Sequence, residues 1–462
     1  MFAPLFQFFI SDLMKYFFSI YGCWLLIIGS SSLHAQQPTF TSAELKIFNE
    51  VQQATFQYFW DGAEPNSGLA RERIHLDNIY PQSDQSVVTS GGSGFGIMAL
   101  LVGIERKYIS REAGRLRLEK MVHFLETADR FHGAWPHWWN GETGKVKPFS
   151  KKDNGGDLVE TSYLIQGLLC ARQYFQKGNA KEKALAARIN TLWQQVEFNW
   201  YTQGKNILYW HWSPEYQWEM NFGVTGYNEC LIMYVLAAAS PTYSIDSTVY
   251  HVGWAQNGRI QLQYAQVPDN ALQLRHHGDT VNGGPLFWAH YAYLGLNPHG
   301  LVDRYADYWK ENTHQAIRNY QWCVANVHQY PGYGPNSWGL TASYSVKGYA
   351  GHAPAYNKDL GVISPTAALS SFPYTPKESM QAMVYWYQNK KEQLFGKYGF
   401  YDAFSEKDNW YPTRYLAIDQ GPIVVMMENY RSGLLWKLFM SCPEVSHGLK
   451  KLGFSSPYLG LH

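Results

Sequence analysis

From residue 42 onward the sequence is a succession of helix-length apolar patterns joined by loops rich in Gly, Pro and Trp. Clear helical periodicity spans 42–60, 93–107, 111–128, 157–177, 180–200, 221–239, 303–328, 376–393 and 420–440. Weaker patterns lie near 247–263, 282–294 and 361–371. Apolar residues recurring every third and fourth position bury one face of a helix. Strand-type alternation is scarce, although "NILYWHW" can form one arm of a hairpin. About twelve helices without a linker or composition break imply an all-α fold, an (α/α)6 barrel (toroid), with residues 36–462 as one domain. In such a barrel the cleft forms where the inner helices begin, because the loops gather there on a rigid scaffold.

The chain is long enough for this. Its 462 residues are 46% hydrophobic and 16% charged, which excludes a disordered protein. With 38 basic and 37 acidic side chains, the net charge is +1 and no Lys/Arg stripe stands out. That argues against a nucleic-acid partner. Aromatic residues make up 16% of the chain, and many sit in polar loops such as "HGAWPHWWNGE" and "LYWHWSPEYQWEM". A loop aromatic either anchors its loop or stacks on the apolar face of a sugar ring.

The N-terminus reads as an export signal. Lys15 precedes the apolar run Phe17–Gly29, and "SSSLHAQQ" permits cleavage after Ala35. Residues 1–35 are therefore expected to be a signal peptide, with Met14 as an alternative start. The run is too short to span a bilayer, so a secreted or periplasmic mature protein without a membrane anchor is expected. Cys170, Cys230, Cys323 and Cys442 remain after Cys23 leaves. The first three lie in apolar helical patterns, as small buried hydrophobes do, rather than in a disulfide or zinc framework.

Three stretches bring carboxyls to helix starts. In "KKDNGGDLVETSYLIQGLL" an apolar helix begins at Leu158, so Asp157 falls at the N-cap and Glu160 at N3, a capping-box spacing. Capping leaves Asp153 unexplained. If the loop turns back, three carboxyls crowd one helix N-terminus, which raises at least one pKa and suits acid/base hydrolysis. In "NFGVTGYNECLIMYVLAAAS" Glu229 sits early in a very apolar helix; it is either a dipole-favoured first-turn residue or a buried, protonated general acid. In "YLAIDQGPIVVMMENYRSGLLW" Asp419 again precedes a helix, and Glu428 and Arg431 form an i, i+3 ion pair.

Other signals carry less. "SGGSGFGIMAL" lacks the preceding strand and the lysine of a phosphate loop, so Gly91–Gly96 reads as a flexible helix entry. His132, His137, His276, His277 and His352 have no metal-ligand spacing, and no H-E-x-x-H or G-x-S-x-G occurs. Neither a metal nor another cofactor is expected.

These three carboxyl-bearing stretches resemble the bacterial glucoamylase-like proteins, and within them glycoside hydrolase family 144, the endo-β-1,2-glucanases. The resemblance runs from about residue 40 to 455. It implies an (α/α)6 barrel that hydrolyses β-1,2-glucan to sophoro-oligosaccharides with inversion and no cofactor, and a monomer is expected. The family's acids fall on Asp153, Asp157, Glu160 and Glu229. Burial favours Glu229 as the general acid; Asp153, Asp157 or Asp419 is left as the base, acting directly or through a relay. Sugar contacts are expected from Trp138, Trp139, Trp212, Trp338, Tyr227, Asn336, Arg73 and Arg414. The competing readings are another glucan or an exo mode, a lyase on the same toroid, and a glycan-binding protein without catalysis.

Overall fold

The helices alternate between two kinds of burial along the chain. The computed structural model describes residues 38–77, 85–277 and 281–460. The expected signal peptide, residues 1–35, and the alternative start at Met14 lie outside the described residues. Thr41–His462 form one compact unit.

The outer segments are amphipathic. In α1 (Ser42–Trp60) the apolar contacts come from Ile47, Phe48, Val51, Phe56 and Phe59. In α3 (Arg111–Thr127) they come from Leu118, Met121, Val122 and Leu125. The spacing of three and four leaves the opposite face to water. α5 (Ala180–Gln194), α7 (Tyr308–Ala325) and α9 (Pro376–Asn389) follow the same rule. Between them run segments buried almost all round: α2 (Ser90–Glu105), α4 (Leu158–Phe175), α6 (Leu231–Ala239), α8 (Pro365–Leu369) and α10 (Ala417–Ser432). The inner place between α6 and α7 is taken by the 3-10 turns Leu286–Ala289 and Tyr291–Tyr293, and the outer place before it by a π turn, Val249–Trp254. Among the described residues six inner and six outer segments thus alternate, followed by α11 (Leu434–Met440) and α12 (Pro443–Lys451).

The glycines of "SGGSGFG" correct the flexible-entry reading. They lie inside α2, fully buried, and let it press against α4. A Cβ on Gly94 would fall 2.2 Å from the Tyr163 carbonyl oxygen, and one on Gly167 2.1 Å from the Gly94 oxygen. Both obstacles are backbone, so the close approach depends on these residues having no side chain.

The expected helix at 221–239 is shorter than its pattern, because α6 starts at Leu231. Asn228 accepts the Cys230 N–H (2.9 Å) and Gly226 has φ +74°, so residues up to 230 form a turn. Glu229 therefore precedes the helix rather than sitting in its first turn. Cys170, Cys230, Cys323 and Cys442 are buried and free. No helix among the described residues is long and apolar enough to cross a membrane.

Candidate active site

Short strands run straight into three inner helices, and these junctions build the site. β2 (Val87–Thr89) leads into α2, β5 (Gly156–Asp157) into α4, and β9 (Arg414–Leu416) into α10. Each is held antiparallel to a loop strand: β3 (Trp138–Asn140), β6 (His211–Trp212) and β1 (Arg73–His75), in that order. Strand β4 (Val146–Lys147) extends the first pair, and the hairpin β7 (Ala342–Ser345) and β8 (Gly348–Gly351) stands beside them. Pairing fixes the start of each helix, and hence the carboxyls carried there.

A cavity of about 390 Å³ opens at these starts. Its acidic lining residues are Glu72, Glu160 and Glu229, its basic ones Arg73 and His137, and its rings include Trp138, Phe149, Tyr163, Trp210, Phe287, Tyr291, Tyr344 and Tyr349. This is the balance expected of a sugar site, with apolar walls and a few convergent polar groups.

Asp157 is the N-cap of α4, as its spacing predicts. Its Oδ1 accepts the Glu160 N–H at 2.9 Å. The Glu160 carboxyl does not return to the cap; its Oε2 accepts the Gly91 N–H of α2 at 2.8 Å. The capping box is thus half made, and the freed carboxyl reaches the cavity beside a helix N-terminus.

Behind Glu160 lies an ion-pair network centred on a histidine that spacing alone did not single out. His137 Nδ1 donates to Asp157 Oδ2 (2.9 Å), while its Nε2 lies 4.0 Å from Glu160 Oε1. The ring stacks on Phe149 at 4.3 Å. Trp210 Nε1 also donates to Asp157 Oδ2 (3.0 Å), and His211 Nε2 lies 3.3 Å from Asp153 Oδ2. Burial opposes a charge on His137, but Glu160, the Asp157 hydrogen bond and Asp153 outweigh it and lift its pKa to about 9. Burial pushes Asp157 up, yet the bond and charge of His137 hold it below the usual carboxylate value. Glu160 rises to about 7, through burial opposed by His137 and reinforced by Asp157 and Asp153. Glu229 also rises to about 7, by burial, with its own N–H pulling down and Glu160 adding repulsion.

His137, Asp153 and Asp157 bring ligand atoms within 4.8 Å of one another, close enough to hold a cation. Of these atoms, His137 Nδ1 and Asp157 Oδ2 are joined by the hydrogen bond above, while Asp153 Oδ2 lies 3.9 Å from the same nitrogen.

The structure sorts the expected site residues. Glu160, Glu229, Trp138 and Arg73 line the cavity. Asp153 and Asp157 lie behind its wall, buried against His137 and His211. Asp419 lies under the floor, in the first turn of α10, where Tyr291 donates to it (3.3 Å). Trp139, Trp338 and Tyr227 are core residues with no exposed surface. Their polar atoms donate inward: Trp139 to the Asp129 carbonyl, Trp338 to the Glu378 carbonyl and Tyr227 to Asn312. A large ring with one polar atom fits a core that supplies one acceptor. Trp212 packs against His132 and Trp200 outside the cavity lining. Asn336 is exposed away from it, and Arg414 pairs with Asp77 (2.7 Å) beneath Tyr344.

Several cavity residues carry no sequence signal that sets them apart. Tyr291, Tyr344 and Tyr349 are three of 34 tyrosines, and Glu72 adjoins Arg73 in an ordinary loop. Trp210 belongs to "LYWHW", where the stacking aromatic was sought one pair too late, at Trp212.

Among known proteins, the relatives of this chain include β-1,2-glucan hydrolases. The putative glucoamylase family profile matches residues 221–443. The solved endo-β-1,2-glucanase of Chitinophaga pinensis, in complex with sophorotriose and glucose, is 69% identical; the match covers 91% of this chain and 100% of that one with a TM-score of 0.88. The exo-β-1,2-glucooligosaccharide sophorohydrolase (non-reducing end) of Parabacteroides distasonis is 46% identical over 90% of this chain, which spans 58% of that relative's length. The endo-β-1,2-glucanase of Talaromyces funiculosus, 13% identical with a TM-score of 0.62 over 89% of this chain and 88% of that one, shares the fold.

Proposed function

This chain belongs to the glucoamylase-like glycoside hydrolases of family 144, and from that membership we propose that it cleaves β-1,2-glucan internally to sophoro-oligosaccharides by an inverting acid/base mechanism. The observation that carries this reading is a pair of carboxyls, Glu160 and Glu229, lining one aromatic cavity with both pKa values pushed up to about 7.

Their surroundings differ, and the difference assigns the roles. Glu229 has no cation within ion-pair reach among the described residues, so it keeps its proton and delivers it to the leaving glycosidic oxygen. Glu160 receives the Gly91 N–H and faces the His137 imidazolium. Both favour its anion, so Glu160 is the base that takes a proton from water on the opposite face of the sugar. As Glu160 ionises, its charge holds the proton on Glu229. Asp153 and Asp157, which the sequence offered as bases, keep His137 charged and in place. Arg73 and the rings of Trp138, Phe149 and Trp210 hold the sugars.

The test uses linear β-1,2-, β-1,3- and β-1,4-glucans, followed by reducing ends, product length and anomeric configuration. Mixed-length products of inverted configuration from β-1,2-glucan alone are expected; no release from it sinks the proposal. The Parabacteroides relative supports a second reading, release of disaccharides from a chain end, and sophorose as the sole early product would favour it. We also assign residues 1–35 to an export signal and the mature chain to the periplasm or exterior. An intact N-terminus on the exported protein would count against that.

A further inference from the structure

Two carboxyls outside this machinery lie under the cavity floor. Asp402 and Asp419 are 2% and 1% exposed. Asp402 Oδ2 accepts the backbone N–H of Tyr344 at 2.8 Å, and Asp419 Oδ1 accepts from Tyr291 Oη at 3.3 Å. Their backbones are pinned as well: Ser364 Oγ donates to the Asp402 carbonyl (2.6 Å) and Thr366 Oγ1 to the Asp419 carbonyl (2.7 Å). The side chains lie in hydrogen-bonding contact with each other. Yet Asp402 Oδ1 and Asp419 Oδ2 have no donor among the described residues, and no cation pairs with either carboxyl there. The other titratable groups facing the pair are Glu72 before β1, Tyr291 on the inner turn, Tyr344 on β7 and Tyr349 on β8. None of these brings a positive charge.

Two buried carboxylates in contact, without a cation, cannot both ionise. A proton between them supplies the donor that both orphan oxygens lack. We propose that Asp402 and Asp419 share one proton and, as that neutralised pair, hold Tyr344 and Tyr291 in position against the sugar. Asp419 keeps the proton, because Asp402 already accepts the Tyr344 N–H. The directions agree: burial raises Asp402 to about 6 despite its bonds to Asp419 and Tyr344, and burial, with repulsion from Asp402, raises Asp419 well above the usual carboxylate value. Tyr344 lies on β7 directly opposite Tyr349 of β8, so the pair ties one wall of the cavity to the start of α10. Both acids act through the tyrosines and are positioning residues.

The kinetic arm of the test rests on the proposed glucanase activity; the stability arm does not. Asp419→Asn reproduces a protonated Asp, with an oxygen for Tyr291 and an N–H for Asp402. Asp419→Ala provides neither. On β-1,2-glucan, Asn should keep kcat and KM within about threefold, whereas Ala should raise KM about tenfold or more with a smaller loss of kcat. In melting curves from pH 5 to 9, wild type should lose stability as pH rises, since a raised carboxyl is protonated in the folded state and ionised in the unfolded one. Asn should flatten that slope. A kcat loss with Asn as deep as that of Glu229→Gln would make Asp419 a catalytic group and overturn the proposal. So would Asn and Ala behaving alike in KM and in melting. If the wild type cleaves no β-1,2-glucan, the glucanase reading fails and the melting curves still decide the pair.

Discussion

Glu229→Gln should remove catalysis and, at the same time, make the fold less sensitive to alkaline pH. The carboxyl is held in a desolvated cavity, where its pKa rises from 4.5 to about 7. Each pKa unit corresponds to about 1.4 kcal/mol, so ionising Glu229 in the folded state costs roughly 3–4 kcal/mol. Between pH 4.5 and about 7 the folded chain binds the proton more tightly than the unfolded one. Stability therefore falls as pH rises through that window; the cost is absent below it and complete above it. Gln is neutral at every pH and lacks this slope. For a chain of this length the difference in pH dependence amounts to about 2–4 °C in Tm between pH 5 and pH 8. Loss of a general acid lowers kcat by about 10²–10⁴, with KM little changed because binding is retained. The assay pairs steady-state kinetics on β-1,2-glucan with thermal melts of both proteins at pH 5, 6, 7 and 8. A variant whose kcat stays within tenfold of wild type would refute the assignment of the acid. A variant whose Tm follows pH as the wild type does would refute the burial argument.

Three further outcomes follow from named contacts. His137→Gln removes the cation facing Glu160 (4.0 Å), so the acidic limb of the kcat/KM profile should move to higher pH; an unmoved limb would dissociate His137 from the base. Gly94→Ala drives a methyl group against the Tyr163 carbonyl (2.2 Å), which should cost about 1–3 kcal/mol in denaturant melts and weaken the Gly91–Glu160 contact, lowering kcat as well; full stability would show that the helices can part freely. Trp338→Ala should cost about 3–5 kcal/mol of stability, because the ring is wholly buried, whereas Phe149→Ala, at a ring 51% exposed in the cavity lining, should raise KM and leave Tm nearly unchanged. The reverse pattern would exchange their roles.

Much of the architecture was legible because the two rings differ in what they bury. α3 shows the three-and-four spacing of a one-sided helix, and α6, "LIMYVLAAA", is apolar all round. Periodicity was least informative where the chain departs from α-helix, at Val249–Trp254 and at Leu286–Tyr293. Asp157 as N-cap was also readable, since capping depends on residues three apart. Aromatic roles were not. Trp138 and Trp139 are neighbours, yet one lines the cavity and the other donates to the Asp129 carbonyl inside the core. On a strand, successive side chains face opposite ways, and only the pairing with Val87–Thr89 decides which face is the cavity.

The sequence by itself determined the succession of helices and the Asp157 cap, because helix formation and capping are governed by residues a turn apart; at Glu229 the apolar pattern began ten residues before the helix does. The tertiary structure decided which carboxyls meet. Asp153 and Asp157 lie close to Glu160 in sequence, yet contacts with His137 and His211 draw them behind the wall. Glu229 enters the cavity from the turn ahead of another inner helix, and Asp402 meets Asp419 from the loop before β9. Charge, burial and pKa depend on distances between segments far apart in the chain, and packing alone sets those distances.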